Sequence, residues 1–179
     1  MKRRRLLTRG LKIVLLLLCA LAAIGVCFFS PYIVEGESMQ TTLFNGDHML
    51  ANKEVYKLEK PQRGDIVIIK DTIHKVNYVK RLIGLPGDKI QIKKGYLFVN
   101  GKKEAENYLV KNRMEARKKG EILNQDFGPI TVPAGKFFVM GDNRLKSMDS
   151  RNGLGLFPAS AIVARCDLIY YPLKDFKIE

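Results

Sequence analysis

The sequence predicts a mainly β fold: an N-terminal transmembrane helix followed by an antiparallel β-sheet domain. Three observations lead there. Residues 13–34 form an uncharged run of 22 positions, preceded by six basic residues within the first twelve. Later in the chain, short runs rich in β-branched residues alternate with turns that carry glycine or proline. Lys93-Lys94-Gly95 and Asn100-Gly101 are placed as hairpin turns between such runs.

A bilayer core takes roughly 20 apolar residues in helical form. Residues 13–30 are therefore expected to span a membrane, behind a basic cytoplasmic segment at 1–12. Pro31 is expected to end the helix near Ser30, because it lacks an amide proton and disfavours helix at the residue before it. A basic start and an apolar core also describe a cleavable signal peptide, and Ala20-Leu21-Ala22 has the small-x-small form of a cleavage site. That triplet lies mid-run, with apolar residues continuing through Phe29, which favours an uncleaved anchor. Basic flanks stay in the cytoplasm, so residues 31–179 are expected to form one domain on the outer face of a cell membrane.

The net charge is +13. Outside the first twelve residues 25 basic side chains face 18 acidic ones, so about half of the excess belongs to the outer domain. Such a surface suits an anionic membrane face. No Arg-rich recognition helix and no interleaving of basic with aromatic residues is present, which excludes nucleic acid as a partner class. Cys19 and Cys27 fall in the apolar run and Cys166 stands alone, so neither a disulfide framework nor a metal-ligand spacing is offered.

Within the outer domain, Asp65–Lys70 follows Pro61 and Gly64 and reads as a buried strand through its Ile-Val-Ile-Ile run. Val76–Ile83 is a second strand, closed by Gly84 and the turn residues Pro86-Gly87-Asp88. Lys89–Ile92 alternates with period two and forms a hairpin with Tyr96–Val99. From Glu104 to Gln125 the apolar pattern fades and basic residues rise, which predicts a surface excursion with at most a short helix. Ile130–Val132, Phe137–Met140 and Ala161–Ala164 resume the strands.

Ser38 follows the apolar run within Gly36-Glu37-Ser38-Met39. A serine is a weak nucleophile until a base takes its proton. The two histidines, His48 and His74, lie outside any recognisable motif, and no G-x-S-x-G elbow surrounds Ser38. The other available base is lysine, useless near neutrality at its free pKa of roughly 10.4 and lowered by several units only when buried among apolar groups. Lys80 fits that requirement best, with Tyr78 and Leu82 on its face at period two and Val79 and Ile83 beside it, although a strand lysine is most often simply solvated.

Four segments in order carry a resemblance. Gly36-Glu37-Ser38-Met39, Arg63-Gly64-Asp65-Ile66-Val67, Tyr78-Val79-Lys80-Arg81-Leu82-Ile83-Gly84-Leu85-Pro86-Gly87-Asp88, and Gly141-Asp142-Asn143-Arg144 leading on to Ser147, Asp149, Ser150 and Arg151 resemble the boxes of the bacterial type I signal peptidases, in the compact form of Gram-positive bacteria. The match runs from the anchor to about Ile169. A single box such as Gly-Asp-Asn-Arg is any turn; four in order behind an anchor are specific.

The resemblance implies membrane-anchored serine endopeptidases with a Ser/Lys dyad, which remove signal peptides from exported preproteins at small-x-small sites without metal or cofactor. By position, Ser38 resembles the nucleophile and Lys80 the general base. Ser147 resembles the serine that hydrogen-bonds and orients the lysine, Asp149 and Arg151 a structural ion pair, Asp142 a supporting acid, and Met39 a residue packed against the nucleophile. Some relatives carry a hydroxyl donor to the oxyanion two residues before the nucleophile, where Gly36 stands here; one such donor is worth about 3–4 kcal/mol. Thr41 occupies a position that is usually proline, which removes no catalytic atom but forgoes the fixed φ of proline.

The resemblance implies that the substrate lies extended beside a strand. The eight residues from Ser30 to Ser38 reach at most roughly 26–29 Å, which keeps the serine close to the membrane face. Ile33, Met39, Leu43 and Phe44 are expected to touch the lipid bilayer. Two other classes share part of this pattern. A catalytically silent binding partner has no need of both Ser38 and Lys80, and a self-cleaving repressor-type Ser/Lys protease has a helix-turn-helix region in place of an anchor.

Overall fold

The computed structural model describes residues 10–20, 25, 28–72 and 74–178. Residues 10–20 are helical (α1). Among the described residues no helix is long and apolar enough to cross a membrane, and the predicted span at 13–30 lies partly outside them. Its end differs from expectation. Strand β1, Phe29–Ile33, already includes Ser30 and Pro31, so the helix does not run to Ser30. The physical reason is that β1 is an edge strand, where proline is tolerated without a break in a central ladder.

The strand runs read from the sequence recur as an antiparallel framework. Strand β1 lies in one sheet with β2 (His48–Asn52), β3 (Ile66–Asp71), β4 (Val76–Gly84), β9 (Lys136–Met140), β10 (Phe157–Pro158) and β11 (Ile162–Tyr171), in the spatial order β1-β2-β11-β3-β4-β9-β10. A short β12 (Lys177–Ile178) also pairs with β11. A smaller sheet has the order β7-β6-β5-β8, from β5 (Lys89–Lys93), β6 (Tyr96–Val99), β7 (Lys102–Lys103) and β8 (Phe127–Thr131). Every pairing is antiparallel.

Strand β3 is central and covered on both faces, which explains its unbroken apolar run. Ile66 and Ile68 enter one core with Met39, Leu43, Met49 and Cys166. Val67 and Ile69 enter another with Leu82, Phe137 and Val139. The first core corrects an expectation: Met39 and Leu43 are 2% and 0% exposed and cannot face lipid, whereas Ile33 and Phe44 are exposed. Apolar side chains in a loop are pulled inward when a neighbouring sheet face is left uncovered.

The segment after β7 is also more than a surface excursion. After the one-turn helix α2 (Val55–Leu58), helix α3 (Val110–Lys118) anchors through Leu109, Ala116 and Leu123, which form a small buried cluster. Its mixed basic sequence hides that face, since only three apolar positions across fifteen residues turn inward.

Candidate active site

The loop from β1 to β2 is closed at its base before Ser38 is presented. The Val34 amide donates to the Asp47 carbonyl at 2.8 Å, the Gly46 amide to Val34 at 2.9 Å, and the Phe44 amide to the Asp47 carboxylate at 2.7 Å. Gly36 has φ of +89°, a left-handed conformation suited to glycine, and its amide donates to Asn45 Oδ1 at 2.9 Å. Buried Val34 and Met39 bracket Ser38, and the amides of Thr42 and Leu43 both donate to the Met39 carbonyl.

Strand β4 brings Lys80 to this loop from the centre of the sheet, opposite Val67 in register. Its Nζ lies 2.7 Å from Ser38 Oγ, and the residue is only 3% exposed. Burial lowers the Lys80 pKa to about 8, while the charges of Asp149 and Asp142 pull it partly back up. A strand lysine with an apolar surround has become a base usable near neutrality. The histidines are elsewhere: His48 packs edge-on against the rings of Tyr170 and Tyr171, and His74 pairs with Asp71 at 2.7 Å.

Two buried acids lie near enough for their charges to act on Lys80. Asp142 is fully buried and accepts from Arg81 Nε at 2.9 Å, Arg81 Nη2 at 2.7 Å and the Thr42 hydroxyl. The guanidinium of Arg81 also lies over the Tyr108 ring, 4.1 Å from its centroid. Asp149 accepts from Arg151 Nε and Nη2, both at 2.8 Å, and from the Gly141 amide at 3.0 Å. Burial pushes the Asp149 carboxyl up, but the Arg151 guanidinium and the Gly141 and Arg151 amides outweigh it and hold the group below the usual carboxylate range. The Asp149–Arg151 pair is thus interior, not an exposed pair of little worth.

Ser147 is buried and near, but its contacts differ from expectation. Its hydroxyl donates to the Met148 carbonyl at 3.4 Å rather than to Lys80. It packs instead around Gly141, where an added Cβ would overlap both the Ser147 hydroxyl and the Ser38 carbonyl. Gly141→Ala is therefore expected to lower activity by about 10²-fold and stability by roughly 1–3 kcal/mol, read by cleavage kinetics and urea melts. Unchanged kinetics in that variant would show that the two loops are not in tight contact.

A cleft of about 330 Å³ opens onto Ser38 and Lys80, with Tyr32, Val34, Met49, Ile68, Tyr78 and Val79 in its walls. A larger cavity of about 480 Å³ lies behind the loop, beside Thr41, Thr42, Tyr108 and Phe176, and reaches neither reactive group. Chemistry, not volume, picks the first. Sequence reasoning missed one site residue entirely. Asn112 of α3 donates to the Gln40 carbonyl at 2.7 Å and the Asp142 carbonyl at 2.9 Å, and a lone asparagine in a basic stretch carries no signal of this.

The profile of the family described as Signal peptidase, peptidase S26 matches residues 7–171. The chain is 51% identical over 168 residues to Signal peptidase I T of Bacillus subtilis (strain 168), covering 94% of this chain and 86% of that protein. It is 52% identical over 149 residues to Signal peptidase I of Bacillus amyloliquefaciens, covering 83% and 77% respectively. The crystal structure of a signal peptidase I from Enterococcus faecalis V583 superposes with a TM-score of 0.55 at 34% identity, covering 60% of this chain and 97% of that one. A match over nearly the whole length, joined to a buried lysine in contact with a loop serine, leaves one conclusion: the chain belongs to the signal peptidase family, peptidase S26.

Proposed function

We propose that this serine peptidase removes N-terminal signal peptides from exported preproteins, with Ser38 as nucleophile and neutral Lys80 as general base. The 2.7 Å contact between Lys80 Nζ and Ser38 Oγ, made by a lysine whose pKa is lowered to about 8, is the observation that carries the reading. Neutral Lys80 accepts the Ser38 proton as Oγ attacks the carbonyl of the residue before the scissile bond. The resulting ammonium protonates the leaving amine of the mature chain. Lys80 then takes a proton from water, which hydrolyses the acyl-enzyme and frees Ser38.

The Ser38 N–H donates to no backbone carbonyl among the described residues, which suits it to the oxyanion. With glycine at position 36, no side-chain donor assists from there. Asp142, Asp149, Arg151 and Ser147 hold the loop that packs on Ser38, and Met39 roots the nucleophile in the core. The apolar cleft suits small side chains of an extended Ala-x-Ala segment paired along β4, whose Val76 and Asn77 are exposed.

In this reading residues 1–12 are cytoplasmic, 13–30 anchor the chain in the cell membrane, and 31–179 form the peptidase domain on the outer face. A preprotein with an Ala-x-Ala site tests it. Wild type is expected to release a mature product whose sequenced N-terminus follows the second alanine, and Ser38→Ala is expected to release none. If wild type leaves several preproteins intact, the assignment of substrate falls.

A further inference from the structure

Two loops build the reactive centre, residues 37–43 and residues 141–147, and they touch through few bonds. The Asn143 amide donates to the Ser38 carbonyl at 3.0 Å, Asn143 Nδ2 to the Glu37 carbonyl at 3.0 Å, and the Thr42 hydroxyl to Asp142. All of these lie within the pair of loops and say nothing of what holds the pair to the body of the domain.

Arg81 of β4 holds one loop through Asp142 and Met39 roots the other in the core, and helix α3 ties both at once through Asn112. Its Nδ2 donates to the carbonyls of Gln40 and Asp142, one on each loop, and its Oδ1 accepts from the Thr41 hydroxyl at 2.8 Å. The orientation of the amide is unambiguous, because two carbonyl oxygens can only accept and therefore must face the NH2 end. Both donors and the acceptor are used, and the residue is 7% exposed, so the bonds are shielded from water. Thr41 also stands where proline is usual in the resembling family. A chain without that fixed φ has more freedom to lose at this loop, and the hydroxyl that replaces the ring is the one bonded to Asn112.

We propose that Asn112, with Thr41 as its partner, is a positioning residue for the reaction. It touches no reacting atom and acts through the loop that carries Ser38. The helix behind it is fixed independently by Leu109, Ala116 and Leu123, which gives the clamp a rigid base. The inference rests on the reading of Ser38 as nucleophile.

The test compares Asn112→Ala, Thr41→Val and Leu123→Ala in the full chain, by kcat and KM on a preprotein, melting temperature, and amide hydrogen exchange of the nucleophile loop. Asn112→Ala is expected to lower kcat about 100-fold with KM within about threefold of wild type, and Thr41→Val to lower kcat about 5–10-fold. Exchange at Thr42 and Leu43 is expected to quicken at least about tenfold in both. Leu123→Ala loosens the same helix but keeps all three bonds of Asn112, so it should lower the melting temperature while costing far less in kcat and loop exchange than Asn112→Ala.

Wild-type kcat and loop exchange in Asn112→Ala, or losses that Leu123→Ala reproduces, would overturn the assignment. Should Asn112→Ala fail to fold, Thr41→Val, which leaves both amide donors in place, supports the same comparison. If wild type itself cleaves no preprotein, the functional reading falls, and the exchange measurements alone decide the role of Asn112.

Discussion

Replacing Lys80 with methionine is expected to abolish cleavage and, below pH 8, to make the protein more stable. The catalytic loss follows from removing the base beside Ser38, worth about 10²–10⁴-fold by itself and more where nucleophile and base act as a unit. The gain in stability follows from burial. In the fold the Lys80 pKa is about 8 against an ordinary value of 10.5. Between those values the unfolded chain holds a proton that the folded chain has released, so wild-type stability rises with pH across that window. Below it, folding must keep an ammonium in an apolar site, at a cost of up to roughly 3 kcal/mol.

Methionine fills a similar volume without the charge. Its advantage should be full at pH 6.5, shrink from pH 8 upward, and be gone above about 10.5. Urea melts across that range measure it. In parallel, wild-type kcat/KM should climb from neutral pH and level off above about 8, where Lys80 is deprotonated. A flat profile from pH 6.5 to 9.5 would remove Lys80 from the role of base.

Asp142→Ala is expected to cost about 3–5 kcal/mol of stability, because it removes the carboxylate that balances the buried Arg81 guanidinium and accepts from its Nε and Nη2. Arg81 is 5% exposed and Asp142 fully buried, so water cannot make up the loss. The Thr42 hydroxyl loses its acceptor at the same stroke, which frees the nucleophile loop at one of its ties. Asp142→Asn keeps the shape and should cost less. Since the charge of Asp142 raises the Lys80 pKa, its removal should also move the kcat/KM inflection to lower pH. An unshifted urea midpoint in Asp142→Ala would mean that the pair contributes nothing net.

Much of this site was legible in the sequence, for reasons that differ by residue. Lys80 stood out because a strand lysine among apolar neighbours must either snorkel out or hold its charge less firmly, and here burial lowers its pKa to about 8. Asp149 and Arg151 are two positions apart, so their pairing is a local matter. Strand β2 escaped notice because His-Met-Leu-Ala-Asn alternates with no β-branched residue, and its place is set by partners β1 and β11 from opposite ends of the chain. The bond expected between Ser147 and Lys80 was not legible in this way: the hydroxyl lies beside Gly141 and donates to the Met148 carbonyl, a choice that depends on the fold of the 141–147 loop. Asn112 was invisible: its meaning depends on carbonyls 72 and 30 positions away.

The short ladder between β1 and β2 has a consequence for how forces travel through the molecule. Five residue pairs, Phe29–Asn52 to Ile33–His48, separate the N-terminal segment from the loop that holds Ser38. Tugging on that segment loads the ladder in shear, and the hydrogen bonds share the load before any reaches the nucleophile. Ser38 is close to the N-terminal segment along the chain yet separated from it mechanically, like a cable clamped at the wall ahead of its terminal. Load upstream of Phe29 is therefore taken up within one edge strand before it reaches the loop that the sheet, Asn112 and residues 141–147 hold together.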